Sequence, residues 1–121
     1  MTAVNTVGWL EIGTEEPAVA ERFYGDVFGW TFDDDPATDG YRTISVPGAG
    51  LQGGVLETGG QTPGYAIFYL TVADVADTVR RAEAAGGKVL VAPQQNKNGL
   101  TFAHLLDPSG NHFGVFTPPA R

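Results

Sequence analysis

The stretch from Val7 to Ile12 has the two-residue period of a short strand around Leu10, Glu11 and Ile12, and beyond Thr14 the apolar positions recur at spacings of three and four. That change of period marks a strand followed by a helix. On the strand, Leu10 and Ile12 fall on one side and Val7, Trp9 and Glu11 on the other. Ala20, Phe23 and Val27 then line one face of a helix that ends at Gly29. Thr14 is the expected N-cap, and Glu15 and Glu16 suit the positive end of the helix dipole. Pro17 is tolerated where first-turn amides have no intrahelical partner. Three strand signals follow, over residues 30–33, 41–46 and 51–57, with the turn "PGAG" between the last two.

The same order then recurs. Setting Glu16 on Asp74 aligns Leu10 with Phe68, Ile12 with Leu70 and Gly29 with Gly87 without a gap. The second helix begins at the N-cap Asp74, carries Val75, Val79 and Ala82 on one face, and ends at Gly86 and Gly87. Strands are expected over residues 88–92, 100–106 and 111–116. Pro108 and Gly110 supply the fixed and the positive φ for the last turn. The chain therefore reads as an α+β fold of two βαβββ modules, about 5–57 and 65–117, joined by a Gly/Pro linker over 58–64 within a single domain of 121 residues. One such module of about 55 residues has a small core, so two should pack together or across a dimer. Each sheet keeps one face under its helix and leaves one free. Trp9 and Glu11 project to the free face in the first module, and Tyr65, Ile67, Tyr69 and Thr71 in the second.

Composition narrows the class without naming a function. With 42% hydrophobic and 17% charged residues the chain is globular. Cysteine is absent, which removes disulfides, thiolate nucleophiles and thiolate metal ligands. No apolar run has the length of a membrane span and the first residues lack a signal-like pattern, so a soluble cytoplasmic protein is expected, with no membrane partner. The net charge of −7 repels phosphate backbones and makes nucleic acid an unsuitable partner. It suits solubility and would also attract a cationic small molecule.

Two stretches carry a family resemblance. "ERFYGDVFGW", residues 21–30, is similar to the helix exit of the vicinal oxygen chelate superfamily, the glyoxalase, bleomycin-resistance and extradiol-dioxygenase fold. "LLDPSGNHFGVF", residues 105–116, resembles the superfamily's final hairpin, and the internal repeat fits as well. The resemblance implies paired modules whose curved sheets form a cup, usually in a homodimer. Metal-using members place His or Gln on the first strand of a module and Glu on the last, ligands suited to divalent metals. Carried over to this chain, those positions are Trp9, Ile67 and Gly114, none of which can coordinate through its side chain. The first-module counterpart of Gly114 falls within residues 51–57. The expectation is a chain with no metal site and no cofactor.

His104 and His112 stand on either side of "DPSG" and can approach across the hairpin, but two nitrogens need a third ligand such as Glu11 or Glu57 to hold a metal. Their expected roles are packing or hydrogen bonding to a ligand. No nucleophile elbow or P-loop is present, and "GAGLQGG" is a turn entering a strand rather than a dinucleotide site. No residue is assigned as catalytic. With Trp9, Ile67 and Gly114 in place of metal ligands, the cup floor should be apolar and locally roomier. Trp9, Tyr65 and Tyr69 would offer flat faces to an aromatic or cationic ligand, Glu11, His112 and His104 would orient a polar group, and Trp30 and Tyr41 would line the rim. The resemblance thus implies a metal-independent homodimer that sequesters an aromatic or amphipathic small molecule, as in antibiotic resistance. The alternatives are a lyase, isomerase or dioxygenase using a relocated metal or a Glu11/His112 acid–base pair, and an auxiliary protein-binding subunit.

Overall fold

The structure, a computed structural model, describes residues 4–35 and 38–119. Its elements are β1 (Thr6–Thr14), α1 (Pro17–Phe28), β2 (Thr31–Asp34), β3 (Tyr41–Val46), β4 (Gly50–Glu57), β5 (Tyr65–Thr71), α2 (Val75–Ala84), β6 (Lys88–Gln95), β7 (Thr101–Leu106) and β8 (His112–Thr117). This is an α+β fold in which βαβββ occurs twice, as the repeat in the sequence requires.

Two compact units emerge, Trp9–Ala66 and residues 4–8 with 67–119. The division does not fall in the 58–64 linker. Thr58 N–H donates to the Thr14 carbonyl, and the Tyr65 hydroxyl donates to Glu11, so the linker and the start of β5 stay with the first unit. Asn5 N–H donates to the Thr71 carbonyl, which places the start of the chain with the second.

In the first unit the strands run β2-β3-β4-β1, with β1 parallel to β4 and the other pairs antiparallel. Leu10 lies opposite Gly53, Glu11 opposite Gly54 and Ile12 opposite Val55. The alternation on β1 therefore sends Ile12 into a core with Ile44 and Val55, against which Leu10, Tyr24, Trp30, Phe32 and Val46 pack.

Helix α1 departs from expectation at both its start and its buried face. It begins at Pro17 with Glu16 as N-cap, and Thr14 instead accepts the Glu16 N–H on its hydroxyl at 3.0 Å. Phe23 and Val27, expected against the sheet, are 55% and 56% exposed. Ala20 and Tyr24 make a second apolar line at helical spacing, and it is Tyr24 that meets the core, stacked on Trp30 at 5.0 Å and 12°. Arg42 on β3 fastens the helix, pairing through Nε with Glu21 at 2.9 Å and through Nη1 with Asp34 at 2.6 Å.

The second unit repeats the topology as β5-β8-β7-β6, with β5 parallel to β8. Here α2 follows its pattern. Val75 and Val79 are buried with Val72, Ala103, Leu105 and Val115, and Ala82 packs against them. Asp74 Oδ1 accepts the Asp77 N–H at 3.0 Å, satisfying one of the orphan amides of the first turn. Asp74→Ala is expected to cost about 1 kcal/mol in urea denaturation; a variant as stable as the parent would mean that water replaces this cap. Strand β6 runs past its expected end to Gln95, and its register on β7 shifts between Val91 and Gln94, around Pro93. That residue has no N–H for a ladder and is tolerated on an edge strand. Among the described residues, no helix is long and apolar enough to cross a membrane.

Candidate functional site

In the first unit, the sheet face turned away from the core carries a buried carboxylate. Strand alternation brings Trp9, Glu11 and Gly13 to this face, with Gly54 beside Glu11 on β4. Glu11 is only 6% exposed. A carboxylate so placed must be hydrogen-bonded, and Tyr65 donates its hydroxyl to Glu11 Oε2 at 2.7 Å. Tyr41 is hydrogen-bonded to Glu11 as well, and Trp9 Nε1–H donates to Tyr41 Oη at 2.8 Å. The rings fit because glycines lie beneath them. A Cβ at Gly54 would come within 2.2 Å of the Tyr41 ring, and one at Gly13 within 2.3 Å of the Tyr65 ring.

Desolvation, followed by the Glu11 charge, raises Tyr41 and Tyr65 well above the ordinary phenol value. Both phenols therefore remain protonated donors. Protons point inward along the network, from Trp9 to Tyr41 and from both phenols to Glu11. The carboxylate is held as an acceptor, and the aromatic rings are held in fixed planes around it.

The second unit builds a different polar chain on the corresponding face. Tyr69 on β5 and His104 on β7 both lie opposite Gly114 on β8. A Cβ at Gly114 would sit 2.4 Å from the Tyr69 ring. The Tyr69 hydroxyl is hydrogen-bonded to His104 Nε2, and His104 Nδ1 lies 2.7 Å from His112 Nε2. Tyr69 and His104 are 5% and 6% exposed, whereas His112 is half-buried. Burial and then the neighbouring His112 lower His104 from 6.5 to about 4, and burial lowers His112 as well. The Phe116 and Phe102 rings stand edge-on to Tyr69 and His104, with centroids at 6.2 and 6.0 Å.

The sequence matches the Glyoxalase/Bleomycin resistance protein/Dioxygenase superfamily over residues 6–115. The chain belongs to this superfamily. A "Putative glyoxylase CFP32" of Mycobacterium tuberculosis is 33% identical over 97% of the chain, which covers 47% of that protein. The "Anthracycline biosynthesis protein DauV" of Streptomyces sp. is 29% identical over 89% of the chain and 45% of its own length. The chain thus spans about half the length of the curated relatives it matches. Among solved structures, the methylmalonyl-CoA epimerase of Mycobacterium tuberculosis superposes with a TM-score of 0.65 at 18% identity, over 99% of this chain and 94% of the epimerase. At that identity the likeness is one of fold.

Ile67, Trp9 and Gly114 stand where the sequence resemblance would put metal ligands. Ile67 is aliphatic and buried, the Trp9 indole N–H is given to Tyr41, and Gly114 has a tyrosine ring across it. The register fixes Gly54 as the first-module counterpart of Gly114, each beside the central polar residue of the neighbouring parallel strand. It too lies under a tyrosine. Among the described residues, no three His, Cys, Asp or Glu side chains are grouped to hold a metal ion.

Of the residues singled out from sequence, Trp9, Glu11, Tyr41 and Tyr65 come together in one unit. Tyr69, His104, His112 and Gly114 come together in the other, with Ile67 on the Tyr69 face. Trp30 joins neither, because it stacks on Tyr24 on the helix side of its sheet. The expectation of a roomier floor at Gly114 is overturned, since the Tyr69 ring takes the space the missing side chain leaves. Gly13 and Gly54 were not foreseen as parts of the site. The signal for Gly54 was present in the repeat, but only the strand register selects it from the two glycines of "QGG".

Proposed function

We propose that this chain is a metal-independent binding member of the superfamily that holds an aromatic or amphipathic small molecule without converting it. The observation that carries this reading is the Trp9–Tyr41–Glu11–Tyr65 network. A buried carboxylate that would serve a metal or a proton transfer is committed to two phenols, and the same bonds fix three aromatic rings as a preorganised surface. The net charge of −7 favours a cationic compound, and a relative named for anthracycline biosynthesis is in keeping with an aromatic one. Sequestration of such a compound by a homodimer, as a resistance device, is the concrete form of the proposal.

Native mass spectrometry with elemental analysis, repeated against a panel of aromatic and cationic compounds, tests it. A metal-free protein retaining an unmodified compound is expected, and Trp9→Ala should weaken that binding about thirtyfold while costing folding far less. Stoichiometric divalent metal, or conversion of a compound, would overturn the reading. The second reading, an acid–base lyase or isomerase of the same superfamily, draws on the Tyr69–His104–His112 chain. Turnover abolished by changing Glu11 or His112 would establish it.

A further inference from the structure

Helix α1 is apolar on two sides, and its own sheet covers one of them. Tyr24 meets the core and stacks on Trp30. Val19, Phe23 and Val27, at successive spacings of four, form a second line along the helix, and each is more than half exposed. The other helix of the repeat shows that the topology does not require such a line. On α2 the exposed positions are Ala76, Arg80, Arg81, Glu83 and Ala84, and no large hydrophobic residue of that helix faces water. A helix that is apolar on opposite sides is ordinarily covered on both, so the outer line of α1 calls for an occupant.

The charges beside the line say which. Arg22 and Asp26 stand four residues apart on one flank of it, both exposed, and among the described residues neither is in an ion pair. When two copies of α1 lie antiparallel about a two-fold axis at Phe23, the two Phe23 rings meet at the centre and Val19 of each copy meets Val27 of the partner subunit. The same rotation keeps both charged flanks on one side of the pair. At a rise of about 1.5 Å per residue, Arg22 then lies about 3 Å along the axis from Asp26 of the partner subunit, and two reciprocal ion pairs flank the apolar line. One surface thus supplies its own apolar and charged counterpart. A lipid surface suits it less, because α1 carries a single basic residue and the chain a net charge of −7.

We propose that the face formed by Val19, Phe23 and Val27 is where a second copy of this chain docks, helix against helix, with Arg22 and Asp26 setting the antiparallel register. This gives the homodimer of the binding reading its contact surface, and it rests on that part of the reading. A pair of 12-residue helices is at the low end of interface sizes, so association in the micromolar range is expected.

Sedimentation velocity over a series from about 1 to about 100 μM tests it. The parent should be dimeric at the upper end. Phe23→Asp should weaken association about a hundredfold, with its urea midpoint near the parent's because the side chain already faces water. Arg22→Asp and Asp26→Arg should each weaken association about tenfold through like-charge contacts, and the two combined should restore it. A parent monomeric throughout would overturn the proposal and leave the face to a different protein, or to a lipid surface if it pellets with phosphatidylcholine vesicles. A Phe23→Asp protein that still dimerises, or a double swap that does not restore the dimer, would overturn it as well. Compound retention in the mass spectrometer is a separate readout. A dimer that retains nothing fails the binding reading alone, and a monomer that retains a compound fails this proposal alone.

Discussion

Lowering the pH from 6.5 to about 4 is expected to cost the protein about 3 kcal/mol of stability through His104. The sign follows from the depressed pKa. In the unfolded chain His104 takes a proton at about pH 6.5, whereas in the folded chain it resists protonation down to about 4. Across that window the unfolded state binds more protons, so acid favours unfolding. Above pH 6.5 both states hold a neutral imidazole and the dependence vanishes. His112, lowered in the same direction by burial, adds to the loss. Urea denaturation over a pH series measures the effect, and His104→Gln isolates it, because carboxylates elsewhere titrate equally in both proteins. The parent should lose more stability than the variant between pH 6.5 and 4. Parallel curves would show that folding does not hold His104 neutral.

That neutral histidine was half legible in the sequence. The two histidines around "DPSG" were candidates for a meeting across the hairpin, but the face of His104 depended on a register that only the β7–β8 pairing supplies, with His104 opposite Gly114. Local signals with a single reading held up. Leu10 and Ile12 alternate into the core, Asp74 caps α2, and the internal repeat gave the order of elements. Where two readings fitted the same residues, tertiary packing chose between them. Helix α1 has two apolar lines, and the sheet took Tyr24 and left Phe23 in water. Tyr41 read as a rim residue because it lies far from Glu11 in the chain. It reaches the carboxylate because it sits opposite Leu56, one diagonal step from Gly54, and the glycine lets its ring lie over the strand.

Gly114→Ala is expected to destabilise the protein by about 3 kcal/mol, although it adds a single methyl group. The added Cβ would lie 2.4 Å from the Tyr69 ring, inside any allowed contact, so the ring must move. It cannot move freely, because its hydroxyl is bonded to His104 and its edge packs on Phe116. Either the ring stays and strains the β5–β8 pair, or it leaves and takes from His104 a buried hydrogen-bond partner. A double-mutant cycle separates this clash from a backbone effect. Tyr69→Ala alone should cost about 3 kcal/mol through the cavity it leaves, but Gly114→Ala added to it should cost far less than in the parent, a coupling of more than about 1 kcal/mol. Additive costs would mean that glycine is needed for its backbone, and a Gly114→Ala variant as stable as the parent would mean that the ring does not cover this strand. The coupled result would establish why a strand position used for a metal-binding carboxylate in the superfamily's metal enzymes is bare in this chain. The space belongs to Tyr69, as the space at Gly54 belongs to Tyr41. A carboxylate could return to either strand only after its tyrosine had left.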